Sequence, residues 1–323
     1  MSALLIIIAF ESMNALFDDH FYQAPYDGLR VKLKNELSLD PKNKLDFIVL
    51  GDCYPLIGII PKIIEGRSGL HGFNFSTHLA YSIFSSYCFL KNYLGHCAQN
   101  PRYIILSFLP ESCRLTKKEI EQDDFAYFYD FSKHNAISFI REFGLPKSIP
   151  LMVPSLKHQY LFKNPLESIP VFKSMIKDSN KADEYIEQVK ADKGRSDLVE
   201  DNIFITFPVK NKLLEKFQIS EFFDSNLRSM LDLAKRDNIT VIYIIPTRPA
   251  ETYKAEMSSG TAQAYLDYLR SLQIKYPGLI VLSPQKDFDQ VFSYSGDLHL
   301  NFWGSMSLSG VVAGKIRELQ NNR

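Results

Sequence analysis

Four short apolar runs constrain this chain more than any other feature. Residues 45–50, 103–109, 239–245 and 279–282 are apolar almost without interruption, and the first three stop at Gly51, Pro110 and Pro246. A strand with one face in water alternates apolar and polar side chains, whereas a continuous run suits a strand buried on both faces. Residues 72–75 are a fifth, shorter candidate. Between the runs lie stretches with helical patterning: 55–64, with Pro61 as a kink or stop, then 79–94, 213–237, 261–276 and 303–319. Strand, crossover and strand repeated in this way imply an α/β fold, with a mostly parallel five-stranded sheet covered by helices on both faces.

Residues 111–212 interrupt the alternation. Pro146, Pro150, Pro154, Pro165 and Pro170 fall there, with a charged helical piece around 183–193. Prolines at this density break regular elements, so a long insertion of helices and loops is expected. Such a span serves as a lid or as a partner-binding surface, and the charged helical piece within it reads as a solvated face. The α/β domain is expected over 45–323 and a separate N-terminal segment over 1–44. Within that segment residues 2–10 are apolar, but Glu11 arrives well before the roughly 20 residues that span a bilayer. Neither a positive leader nor a small-residue cleavage site accompanies the run. Two readings stay open: a buried strand or helix, or the tail of a truncated membrane anchor.

Lysine plus arginine and aspartate plus glutamate number 37 each, and no basic stripe appears, so nucleic acid is not the expected partner. The four cysteines (53, 88, 97 and 113) show neither C-x-x-C nor zinc-ligand spacing and read as buried thiols. His71 and His78 near the second strand lack ligand spacing, so no metal is expected. The segment Gly66-Arg67-Ser68-Gly69 lacks the lysine of a phosphate-binding loop, and no cofactor is expected.

Chemistry concentrates at two places. The first strand ends in Gly51-Asp52-Cys53, and the last helix is preceded by Asp297-Leu298-His299-Leu300-Asn301, with Gly304 beyond. In a parallel sheet, ligands bind beyond the carboxyl ends of the strands, and both motifs fall on that rim. Acyl transfer needs a nucleophile, a base, a group that orients the base and donors for the oxyanion. Cys53 at a strand-to-helix turn is the candidate nucleophile, with the helix end and an imidazolium favouring its thiolate. His299 is the candidate base and Asp297 its orienting carboxylate. Asp52 reads as support for the turn and Asn301 as support for the loop. Asp297 and His299 have a second reading as caps of the final helix. Tyr54 and Trp303 flank the motifs, as pocket wall, as a stacking surface for a sugar or as core.

The strand followed by Gly51-Asp52, the late Asp297-x-His299 and the trailing Leu300-Asn301-x-x-Gly304 resemble the SGNH/GDSL hydrolase superfamily. The similarity is greatest to its cell-envelope branch, the alginate-type O-acetyltransferases and their DltD-like relatives. It spans about residues 45–110 and 213–323. The resemblance implies a flavodoxin-like three-layer α/β/α fold and an esterase or O-acyltransferase. Its substrate would be an acylated envelope glycan or lipid-linked sugar, with a membrane acyl-transfer partner and a site facing the cell envelope or periplasm; a cytoplasmic location is the alternative. Three features depart from the pattern. Cys53 replaces serine, D-x-H replaces the commoner D-x-x-H, and the oxyanion donors differ. The superfamily uses a glycine after strand two and an asparagine after strand three, where this chain has Asn74-Phe75-Ser76-Thr77 and Leu109-Pro110-Glu111-Ser112. Backbone N–H groups of Ser76 or Thr77 and the Ser112 hydroxyl are the candidate substitutes. Two functions therefore stay open: a Cys-His-Asp esterase or acyltransferase, and an inactive SGNH-like protein that binds a glycan or a membrane partner.

Overall fold

The computed structural model describes residues 26–77, 82–118, 137–138, 140–145, 179–195, 217–285, 294–295 and 299–322. The chain divides into two compact units, Met1–Leu37 with Glu121–Lys190, and Ser38–Ile120 with Ala191–Arg323. The N-terminal segment and the middle of the insertion thus share a unit, where the sequence suggested separate pieces. Its described residues include the helices α1 (Tyr26–Leu39, which runs two residues past the boundary) and α6 (Ser179–Ala191, which runs one past it). Arg30 donates to the Tyr185 hydroxyl and lies over its ring.

The second unit holds the sheet. Its strands are β1 (Phe47–Gly51), β2 (Gly72–Asn74), β3 (Tyr103–Ser107), β4 (Thr240–Ile244) and β5 (Leu279–Leu282), all parallel, in the order β2-β1-β3-β4-β5. This is the doubly wound, flavodoxin-like order, with the reversal of winding between β1 and β3. Every residue of β1 and β3 is buried, as their unbroken apolar runs require.

Alternate strand residues serve opposite layers. Phe47, Val49, Tyr103, Ile105, Ile242 and Ile244 share a core with Cys53, Tyr54 and Ile64, and with Leu308, Val312 and Ile316 of the last helix. That layer consists of α2 (Cys53–Gly58), α3 (Pro61–Ser68) and α10 (Phe302–Asn321). The opposite layer holds α4 (Ser82–His96), α7 (Glu221–Arg236) and α9 (Thr261–Lys275). There Phe108 meets Phe223 edge-on at 5.2 Å, and Tyr243 of β4 hydrogen-bonds Tyr265 of α9 at 2.8 Å. Short helices α5 (Pro110–Arg114) and α8 (Ala250–Ser258) follow β3 and the loop after β4.

Several boundaries differ from expectation, for identifiable reasons. The helix expected over 55–64 is two helices, because Ile59 and Ile60 are extended and Pro61 occupies the first turn of α3. Proline is at home there, since its missing N–H has no helical partner to lose. β3 stops at Ser107 because Leu109 is extended and Pro110 opens α5. The helix expected from residue 213 begins at Glu221, where the Ser220 hydroxyl caps the Phe223 N–H. His299 lies in a two-residue strand, β7 (His299–Leu300), paired antiparallel with β6 (Tyr294–Ser295). Cys88 and Cys113 are buried, whereas Cys97 is partly exposed, unlike the expected interior thiol. Among the described residues, no helix is long and apolar enough to cross a membrane.

Candidate functional site

The rim at the carboxyl ends of the strands is built around Gly51. Its φ of +154° places the backbone where a side chain has no room. A Cβ would lie 2.0 Å from the Ser107 carbonyl oxygen and 2.5 Å from Pro55 Cγ. Glycine therefore lets β1 turn sharply into α2 while remaining in register with β3.

Asp52 follows, with no solvent exposure. Its Oδ1 accepts from the Tyr54 N–H at 2.9 Å, capping α2. Its Oδ2 accepts from the Leu109 N–H at 2.6 Å and from the Ser112 hydroxyl at 2.5 Å. The carboxylate thus fills the switch point, joining the end of β1 to the turn that opens α5. Burial raises its pKa to about 6, against the three hydrogen bonds, which favour ionisation, and with a smaller contribution from Glu111.

Cys53 is the first residue of α2 and only 6% exposed. Burial pushes its thiol well above the usual range, the charges of Asp52 and Glu111 add to the effect, and Arg248 only partly opposes it. The expected preference for thiolate is reversed: the cost of desolvation outweighs the helix end at this position.

The candidate oxyanion donors are committed elsewhere. The Ser76 N–H donates to Asn74 Oδ1 at 3.0 Å and the Thr77 N–H to the Gly51 carbonyl at 3.0 Å. Thr77 Oγ1 pairs with Ser85 Oγ at 2.7 Å, and Ser112 is bound to Asp52. Asn74, the last residue of β2, uses its amide to hold the Pro55 and Ile59 carbonyls at 2.8 and 3.2 Å. Asn301 caps α10 by accepting the Gly304 N–H at 3.0 Å.

The strand bearing His299 packs against α2. Leu300 shares the core with Cys53 and also reaches the far end of that helix. A Cβ on Gly58 would sit 3.4 Å from Leu300 Cδ1, and the Ser305 hydroxyl reaches the Ile57 carbonyl. Five residues of helix separate Cys53 from Gly58, about 8 Å of rise. His299 is half-buried, with Nε2 shielded from solvent. Asp297 and His78 lie outside the described residues. His71 is on the surface, 3.7 Å from Glu65. Among the described residues, no group of histidine, cysteine, aspartate and glutamate is placed to hold a metal ion.

A second polar cluster escaped the sequence reading. Arg248, after β4, is 1% exposed, and its Nη2 donates to both oxygens of Glu111 at 2.8 and 2.7 Å. Its Nε lies 3.0 Å from Glu256 Oε1. Gln285 clamps the Arg248 backbone, accepting its N–H and donating to its carbonyl, each at 2.8 Å. The Tyr54 hydroxyl ties the nucleophile turn to this cluster, bonding Thr247 Oγ1 at 2.7 Å and accepting the Thr247 N–H at 2.9 Å. The one sequence signal is an arginine three residues beyond the apolar run that ends at Ile245. Its carboxylate partners lie 137 residues before it and 8 after it, and no local pattern links them.

No protein-family model matches the chain, and no curated protein shows significant similarity to it.

Proposed function

We propose that this chain is an SGNH-like protein whose rim recognises a glycan and does not turn over esters through Cys53. The observation carrying this reading is the full commitment of the rim. Cys53 is buried and held as the thiol, and the Ser76, Thr77 and Ser112 donors are already bonded within the fold. Losing one oxyanion donor alone typically costs about 10²–10³ in rate. Recognition has a candidate surface beside His299. Phe302 and Trp303 are 52% and 67% exposed, with ring centroids 5.7 Å apart in an edge-to-face pair. Exposed aromatic rings suit the apolar faces of sugars, and the guanidinium of Arg195 lies 5.9 Å from the Phe302 ring centre. The packing of the His299 strand on α2 favours the second reading, a Cys-His-Asp esterase or acyltransferase.

Alkylation separates the two. With iodoacetamide at pH 7 to 9, followed peptide by peptide in a mass spectrometer, Cys53 is expected to react at least about tenfold more slowly than the partly exposed Cys97. Turnover of p-nitrophenyl acetate is expected to match buffer for both the wild type and Cys53→Ser. Fast labelling of Cys53 that His299→Ala abolishes, or ester turnover by either form, would establish the enzyme instead. Trp303 is the single tryptophan, so its fluorescence directly reports an added oligosaccharide. An unchanged spectrum across a panel of acetylated and plain oligosaccharides would remove the glycan half of the proposal.

A further inference from the structure

The carboxyl ends of β4 and β5 carry a cavity of about 90 Å³, whose lining does not include residues 51–54. Pro110, Pro246, Met257 and Leu266 form much of its apolar wall, and Tyr253, Tyr265 and Glu256 also line it. One water needs about 10–15 Å³ of such space, so the cavity has room for several non-hydrogen atoms.

We propose that this cavity binds a small organic cation, an alkylammonium group, held by Glu256 between Tyr253 and Tyr265. Among the described lining residues Glu256 is the sole charged side chain. Its buried Oε1 faces Arg248 Nε at 3.0 Å, and Arg248 stands behind the wall, already bonded through Nη2 to both oxygens of Glu111. The guanidiniums of Arg248 and Arg114 balance the carboxylates of Glu111 and Glu256, but of these four groups only Glu256 lines the cavity, so the charge presented at its wall is negative. Gln285 also lines the cavity, but its amide is occupied with the Arg248 backbone and offers an incoming group little. The Tyr265 hydroxyl is likewise engaged, donating to the Phe108 carbonyl at 2.7 Å, so what Tyr265 has left for a ligand is its ring. Tyrosine rings attract ammonium groups through their electron-rich faces, most strongly where water is excluded. A carboxylate ligand would meet the wrong sign of charge. The site is independent of whether Cys53 is active.

Met257 provides the probe, as a lining residue and one of seven methionines. In the full chain labelled with ¹³C-methyl methionine, ethylammonium chloride is expected to shift the Met257 signal saturably. Sodium acetate at equal ionic strength is expected to leave it in place. Glu256→Gln is expected to weaken the ethylammonium response at least tenfold. Ala262→Leu, which fills the cavity wall and keeps the carboxylate, is expected to weaken it as much, and it decides the matter if Glu256→Gln fails to fold. A shift with acetate equal to that with ethylammonium, a response that never saturates, or wild-type binding by the variants would overturn the site.

Discussion

Gly51→Ala is expected to cost at least about 4 kcal/mol, a large part of the roughly 5–15 kcal/mol that holds a domain folded. The added methyl carbon has nowhere to go. It meets a backbone oxygen of β3 at 2.0 Å and the ring of Pro55 at 2.5 Å, and the first of these is pinned by the parallel ladder. Moving Gly51 to relieve the clash would break its pairing with Ser107 and the Thr77 N–H bond to its carbonyl. The φ of +154° disfavours a side chain even without the clash. Urea denaturation of soluble material, or its absence on expression, measures the effect. Gly314→Ala is the control, because a Cβ there meets nothing within 4 Å in the interior of α10. It is expected to stabilise by about 0.5–1 kcal/mol, the ordinary gain for alanine over glycine in a helix. A tolerated Gly51→Ala would mean that the turn at the head of the site is not built as described.

The sheet was legible because burial on both faces writes itself into consecutive residues. β5 occupies the expected residues 279–282, and β1, β2, β3 and β4 each fall inside or within one residue of their apolar runs. Helix starts were less legible, since they depend on side-chain caps and prolines. Pro61 reads equally as a stop and as a start, and only the extended Ile60 before it decides the matter. The candidate site divides along the same line. Gly51-Asp52 announces a turn, and in the structure Asp52 accepts from the Tyr54 and Leu109 N–H groups and from the Ser112 hydroxyl. What the spacing of the motifs could not convey is depth. Cys53 and Ser112 stand at the right strand ends, but one faces the core and the other is bonded to Asp52. Solvent access and prior hydrogen bonding are properties of packing, and neither leaves a local pattern. The Arg248 cluster was invisible for a related reason, as it gathers Glu111 from α5, Glu256 from α8 and Gln285 from beyond β5.

The contribution of Asp52 to stability is expected to rise as pH falls from about 7 to about 4.5, opposite to the usual behaviour of paired carboxylates. The pKa of this carboxyl is about 6 in the fold against 3.8 as the reference value, so the folded state takes up a proton that the unfolded chain does not yet bind. The stabilising effect is complete below the unfolded value and is lost as pH rises through about 6; its full size is about 3 kcal/mol. Burial sets the direction and the hydrogen bonds limit the rise. Tyr54, Leu109 and Ser112 donate to the carboxylate, and burial likewise pushes the nearby thiols of Cys53 and Cys113 up. Glu256, raised chiefly by burial with Glu111 adding, contributes in the same sense, so the wild-type curve alone does not isolate Asp52. The difference from Asp52→Asn does. That variant cannot ionise, and its stability relative to wild type is expected to worsen steadily between pH 7 and pH 4.5. Its amide has one acceptor for three donors, and an unpaired buried N–H costs about 1–3 kcal/mol. Urea titrations of both forms at half-unit pH intervals measure the difference. Parallel curves would show that Asp52 stays ionised throughout, the hydrogen bonds having overcome burial, and the cause assigned here to the Cys53 thiol would then rest on desolvation and a fixed negative neighbour at every pH.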